Sequence, residues 1–349
     1  MLDFPFDPRL AHAETLPTRC YLDPTYLGAE MRAIFLKTWQ WVGHAEELPE
    51  PGSYFTVERF GEPVVVTRDR DGILRALSNV CRHRASLVAR GKGCTKSLQC
   101  PYHGWTYDLD GRLRSHREFE GVENWEPLEN SLPEIRLEQW GSFLFINFDP
   151  KAPPLLEMLG EIPGEIKDFG ADLENYRFLA RREYTIECNW KVYVDNYLEG
   201  YHLPLVHPEL YRTLDYSRYR VEPRRHHSTQ YAPLRASPDD KALYYWIHPN
   251  WMVNIYPDNI SLNLVLPLGP DRTYTLFDWF VRHGETPSLD ETIRFSDQVQ
   301  KEDIAICELV QKGLRSRHYN RGKYCPKREN GVHHFHSLWY ESLKGEAGV

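Results

Sequence analysis

Short apolar runs broken by turn residues fill the chain from Gly52 to Phe148 and predict a β-rich region. The strand candidates are Y-F-T-V, P-V-V-V-T, I-L-R-A-L and F-L-F-I-N-F, and Asp71-Gly72 and Asp110-Gly111 have the composition of hairpin turns. Before this region, residues 21–44 place apolar side chains at helical spacing behind Asp23-Pro24, a helix start signal. Beyond the prolines near 151–154, a helical stretch over 162–169 leads into a second region. There the pattern predicts a helix over 189–200. Strands at A-L-Y-Y-W-I, W-M-V-N-I-Y, I-S-L-N-L-V-L-P and T-Y-T-L-F-D-W-F follow, and their alternation suits antiparallel pairing. A long helix over 289–314 comes next. The expected fold class is α+β in three parts: an N-terminal helical segment (1–45) packing with the last part, a β-rich domain (46–152), and a domain of antiparallel sheet with helices (153–349).

Length and composition narrow the class. At 349 residues the chain exceeds what a lone electron carrier needs and has room for two domains. With 41% hydrophobic and 26% charged residues it reads as a soluble globular protein, and no stretch approaches the length of a membrane span. The start, M-L-D-F-P-F-D-P-R-L, lacks the basic and apolar regions of a secretion signal, so a cytoplasmic location is expected. A formal charge of −8 argues against a nucleic-acid partner. Seven cysteines, an odd number, do not suggest a disulfide framework. Cys94, inside the loop between the residues considered next, is expected to be a packing residue.

The first chemical signal lies between Cys81 and His103. Each half supplies one Cys and one His: Cys81 with His83, then Cys100 with His103 after sixteen intervening residues. A tetrahedral zinc site would accept these four donors, but zinc knuckles usually present like pairs. One thiolate and one imidazole from each of two loops is what a two-iron cluster with mixed ligands needs. Gly91, Gly93, Pro101 and Gly104 suit tight loops around these residues.

The second signal is the stretch N-W-K-V-Y-V-D-N-Y-L-E-G-Y-H-L-P-L-V-H-P. Trp190, Val194, Tyr197 and Tyr201 recur at helical spacing and predict a buried stripe. Asp195, Glu199 and His202 fall on another common face. Pro204 ends the helix, so His207 can swing back towards His202. Two imidazoles and one carboxylate form the facial ligand set of non-haem Fe(II). The carboxylate must come from elsewhere. Asp303 shares a predicted helix face with Val299, Ile306, Cys307, Val310 and Leu314, and a charge on an apolar stripe needs a partner or a metal. Glu302 is expected to point a quarter turn away into solvent.

The C-x-H and C-P-Y-H-G-W boxes resemble those of Rieske [2Fe-2S] proteins, and the helix motif resembles that of the catalytic α-subunits of Rieske non-haem iron oxygenases. The resemblance implies that Cys81 and Cys100 hold one iron of the cluster, and His83 and His103 the other. Its motif is matched by Asp195, Glu199, His202 and His207, which implies the two histidines as ligands of the mononuclear Fe(II) and the two acids as catalytic; Asp303, from the helix-face reading, is the expected third ligand. In that family an acid at the Glu199 position, usually Asp, bridges to a cluster histidine of a neighbouring subunit. Carried over, Glu199 links His202 to His103 of the next chain in a homotrimer. The middle and last parts become a Rieske domain and a mononuclear iron domain.

The runs N-I-S-L-N-L-V-L-P-L-G-P-D-R-T, Q-K-E-D-I-A-I-C-E-L-V-Q-K-G-L and V-H-H-F-H-S-L-W resemble the choline monooxygenase-like branch of the family, which acts on quaternary ammonium compounds. Tyr193, Tyr197, Tyr201, Trp246, Trp251 and Tyr256 are candidate ring faces for such a cation. The expected function is a terminal oxygenase that hydroxylates or N-demethylates a choline-, carnitine- or betaine-type substrate with O2. A ferredoxin or flavin reductase would supply its electrons. No G-x-G-x-x-G motif is present, so NAD(P)H is expected to act only through that reductase. Competing readings are an aromatic-ring hydroxylase or O-demethylase with the same centres, a cluster-only electron-transfer protein, and a zinc-stapled interaction protein.

Overall fold

The computed structural model describes residues 2–235, 241–285 and 290–346. The chain forms two compact units, Phe35–Leu155 and a second made of Met1–Ile34 with Leu156–Val349.

The first unit is built on an antiparallel sheet of strands Gln40–His44, Phe143–Asn147, Glu134–Trp140, Leu74–Ser78, Glu62–Arg68, Ser53–Arg59 and Lys92–Cys94, in that spatial order. The run of consecutive valines in Glu62–Arg68 follows from burial on both faces. Val65 points into one core with Leu77, Cys81, Cys100, Trp105 and Tyr107, while Val64 and Val66 point into another with Phe55, Leu144 and Ile146. A small sheet of Leu98–Gln99, Thr106–Tyr107 and Leu113–Ser115 carries the second Cys/His loop. Asp71-Gly72 and Asp110-Gly111 turn the chain as expected, with both glycines at positive φ.

The helix expected over 21–44 is shorter. It runs Pro24–Ala33, capped by the Asp23 carboxylate, which accepts from Thr25 N at 2.9 Å. Residues 40–44 form a strand instead. All five are buried, and all but Val42, which sits at a register shift, pair with the strand Phe143–Asn147; periodicity alone cannot tell such a run from a helix.

In the second unit the antiparallel order is Tyr176–Ile186, Arg272–Arg282, Ile260–Gly269, Trp251–Ile255, Lys241–Ile247, His227–Pro233, Arg220–Pro223. The helix expected over 189–200 starts on the Asn189 cap and ends at Tyr197. The chain then turns through Gly200, where a Cβ would run into the ring of Tyr219. Tyr201 therefore leaves the predicted stripe and is 56% exposed, whereas Trp190 and Val194 are fully buried. The long helix is Asp290–Leu314; Leu289, its expected first residue, lies outside the described residues. Its buried face follows a seven-residue repeat, Ile293, Gln300, Cys307 and Leu314, joined by Gln311, which leaves Val310 exposed against expectation.

A fully buried ion pair ties three helices of this unit. Lys191 Nζ donates to Glu30 Oε1 at 2.6 Å, and the indoles of Trp190 and Trp339 each donate to the same carboxylate at 2.7 Å. Among the described residues, no helix is long and apolar enough to cross a membrane.

Candidate active site

Two separate donor sets emerge, one in each unit. In the first, Cys81 and Cys100 are buried in the core, and His83 and His103 stand at its edge. The His83 and His103 Nδ1 atoms converge to 3.1 Å. The His83 ring stacks on Trp105 at 4.9 Å between centroids and 8° between planes, which fixes its direction. Tyr107 Oη accepts from Arg82 N at 3.0 Å, so its proton is free to point at Cys81 Sγ, 3.3 Å away. Burial pushes the Cys81 thiol up, and the Tyr107 hydrogen bond opposes that shift. Gly104, at φ +74°, makes the turn after His103.

This donor chemistry fits the expected cluster and not a single zinc ion. A tetrahedral ion would draw all four donors together. Among the described residues, the metal-binding gathering within 4.8 Å is formed by His202, His207 and Asp303, not by these four. A sulfur pair and a nitrogen pair held apart suit two irons with unlike ligands.

The second set has that tighter geometry. His207 Nε2 lies 3.0 Å and His202 Nε2 3.9 Å from Asp303 Oδ1. The two rings are 5.0 Å apart and inclined at 75°, so their Nε2 atoms meet at an angle around the carboxylate. Each imidazole is anchored through its other nitrogen. Glu199 Oε1 sits 2.5 Å from His202 Nδ1, and Glu302 Oε2 sits 2.7 Å from His207 Nδ1. Asn196 Nδ2 donates to Asp303 Oδ1 at 2.5 Å. Burial pulls the His207 imidazolium down, but the hydrogen bonds it donates to the Asp303 and Glu302 carboxylates outweigh that and hold the group above its ordinary value. A divalent cation at Nε2 would replace the proton held there, so these residues fit a mononuclear metal.

Glu302 corrects the sequence reading: it is an anchor for His207, not a solvated neighbour of Asp303. Glu199 also folds back on its own turn, accepting from the amides of Tyr201 and His202. Asp195 does not join this set. It accepts from Tyr21 Oη at 2.8 Å and lies 2.8 Å from His336 Nε2, while Tyr324 Oη meets the other nitrogen of His336 at 2.6 Å. His336 is thus buried in a hydrogen-bonded cluster away from the three donors.

The three donors open on a cavity of about 230 Å³. Its wall takes one residue from each of five adjacent strands in a single cross-strand row: Gln230, Tyr244, Asn254, Ser261 and Trp279. Of the aromatics expected there, Tyr193, Tyr197 and Tyr256 line it. Trp246 and Trp251 are fully buried elsewhere, and Tyr201 faces outward. Tyr219, Tyr244, Phe277, Trp279 and Phe295 also line the cavity and were not anticipated; strand register brings in Tyr244, Phe277 and Trp279, the long helix brings Phe295, and Tyr219 precedes the strand Arg220–Pro223.

Comparison with known proteins agrees with this geometry. Residues 38–126 match the Rieske [2Fe-2S] domain, and residues 173–345 match the ring hydroxylating alpha subunit catalytic domain. The chain is 36% identical to the chloroplastic choline monooxygenase of Arabidopsis thaliana, over 97% of this chain and 86% of that protein. It is 31% identical to the carnitine monooxygenase oxygenase subunit of Escherichia coli (strain K12), over 95% of this chain and 94% of that one. A solved quaternary ammonium Rieske monooxygenase, described for carnitine oxidation by gut microbiota and inter-subunit electron transfer, superposes with a TM-score of 0.89. It shares 28% identity, over 97% of this chain and 99% of that chain. An α+β enzyme with a Rieske cluster domain and a mononuclear iron domain, this chain belongs to the ring-hydroxylating oxygenase α-subunit family, on the side of its monooxygenases.

Proposed function

We propose that the chain is the terminal oxygenase of a multicomponent system acting on a small quaternary ammonium compound of choline, carnitine or betaine type. The observation that carries this reading is the cavity: the His202, His207 and Asp303 donors open on an aromatic lining in which, among the described residues, neither lysine nor arginine takes part. Ring faces and carboxylates attract a methylated cation, and no like charge among the described wall residues opposes it. The similarity to choline and carnitine monooxygenases supports the same substrate class.

In this reading Cys81, Cys100, His83 and His103 would hold the cluster, and His202, His207 and Asp303 the mononuclear Fe(II). When bound, the cluster supplies electrons singly and the mononuclear iron supplies oxygen activation for hydroxylation of a C–H bond. Glu302 and Glu199 keep the two imidazoles in the tautomer that presents Nε2, and Asn196 orients the Asp303 carboxylate. The aromatic wall orients the substrate cation and keeps water from its methyl groups. Glu199 is assigned the link from His202 to His103 of a neighbouring copy in a homotrimer. The inter-subunit electron transfer described for the solved relative supports that role. A separate ferredoxin or flavin reductase is the electron donor, and the cytoplasm is the proposed location.

The test is product detection by mass spectrometry after one turnover of chemically reduced protein with O2. The panel is split between choline, carnitine and betaine on one side and aromatic acids and ethers on the other. An oxidised or demethylated amine is expected. Products from the aromatic half alone would sink the substrate class and leave the metal assignments standing.

A further inference from the structure

Two buried side chains of the cavity wall carry hydrogen-bond donors that no described residue accepts. They are Ser261 and Asn263, each 4% exposed, two positions apart on the strand Ile260–Gly269 and both on its cavity face. Ser261 ends a chain of hydrogen bonds whose direction its members fix. Tyr197 Oη donates to Asn254 Oδ1, which can only accept, at 2.6 Å, and Asn254 Nδ2, which can only donate, reaches Ser261 Oγ at 3.0 Å. Ser261 Oγ is therefore the acceptor in that pair, and its own proton has no acceptor among the described residues.

Asn263 adds the second donor. Its Oδ1 is sealed from the cavity, so Nδ2 is the end of the amide left open to it, and Nδ2 too has no partner among the described residues. Other buried polar groups of the wall differ. Tyr193 Oη donates to Gln300 Oε1 at 2.6 Å, Gln300 Nε2 to Thr275 Oγ1 at 3.3 Å, and Gln230 Nε2 to Tyr197 O at 2.7 Å. Buried donors without acceptors are costly and rare, and two side by side in the wall of a binding cavity point to a ligand that completes them.

We propose that Ser261 Oγ and Asn263 Nδ2 form a two-donor subsite for a carboxylate on the substrate, so that the cavity takes a quaternary ammonium zwitterion in preference to an alcohol. This rests on the quaternary ammonium reading above and sharpens it. Side chains two apart on a strand stand parallel, about 7 Å apart at the backbone. A carboxylate spans such a pair with one oxygen to each donor at about 2.8 Å, and it accepts without bringing a proton of its own. A single hydroxyl oxygen satisfies one of the two donors and buries a proton beside groups that only give. The charge that compensates the carboxylate is the substrate's own ammonium, held against the ring faces of the same cavity.

The test measures binding to the anaerobic holoenzyme by calorimetry with glycine betaine, carnitine and choline. Wild type is expected to bind at least one of the two zwitterions about tenfold more tightly than choline. Ser261→Ala and Asn263→Leu each remove one donor, and each is expected to weaken that zwitterion about tenfold while choline binding changes little. The alanine variant, smaller by one oxygen, keeps the test open should the leucine variant fail to fold. Choline bound more tightly than both zwitterions by wild type overturns the assignment. So does a variant set that weakens choline as much as the zwitterion, because the two residues would then only shape the wall. If wild type binds none of the three, the quaternary ammonium reading fails and takes this inference with it.

Discussion

His207 has both ring nitrogens committed to consecutive residues of one helix, Nδ1 to Glu302 and Nε2 to Asp303. A carboxylate behind a metal-binding imidazole fixes its tautomer and raises its basicity. Glu302→Gln keeps the shape and removes the charge. It is expected to lower iron affinity at this site about 10–100-fold, read as iron retained per protein after dialysis against a chelator, with the cluster spectrum unchanged. Full retention would return Glu302 to the role of a surface acid. Asp303 was legible in the sequence because a charge stood on a predicted apolar face. Glu302 was not, because helix geometry gives the angle between neighbours but not that a histidine nearly a hundred positions earlier lies across both. The cavity aromatics were half legible for the same reason. Tyr193 and Tyr197 announce themselves on a helix, whereas Tyr244 and Trp279 reach the wall only through pairing register.

The helices of the second unit are joined through one buried carboxylate. Glu30 serves Lys191 and two indoles, so removing it leaves a charged group and two N–H donors stranded. Glu30→Ala is expected to cost about 3–5 kcal/mol, seen as a fall in the urea midpoint at constant slope. A loss near zero would mean that water reaches Lys191. Acid has a separate effect. Burial lowers His227 and His334 to about 4 and His248 to about 3. Unfolded, each would protonate below about 6.5. Between about 6.5 and 4 the unfolded chain therefore binds protons that the folded one refuses, and stability falls as pH drops through that window. The slope is about 1.4 kcal/mol per pH unit for each histidine, and it levels off lower. Urea titrations at pH 7 and pH 5 would measure it, and equal midpoints would contradict it. Most strands were legible because short apolar runs between turn residues leave few alternatives. The strand Gln40–His44 was missed because its partner, Phe143–Asn147, lies far along the chain.

Each compact unit holds a complete donor set, so the two centres are expected to be lost independently. His202→Ala should abolish product and empty the mononuclear site while leaving the visible and paramagnetic signals of the cluster. Cys100→Ser should bleach the red-brown cluster and leave mononuclear iron in place. Loss of both signals in either variant would show that one centre is needed to build the other. The sheet of the second unit has a wider consequence. The metal donors sit on helices and turns, whereas one cross-strand row of the cavity wall is dealt out a residue per strand, at 230, 244, 254, 261 and 279. A lineage can therefore alter its diet one letter at a time without disturbing how it handles iron. Because the letters of that row never stand together in the chain, no single stretch spells it, and relatives with the same catalytic boxes can diverge in what they consume.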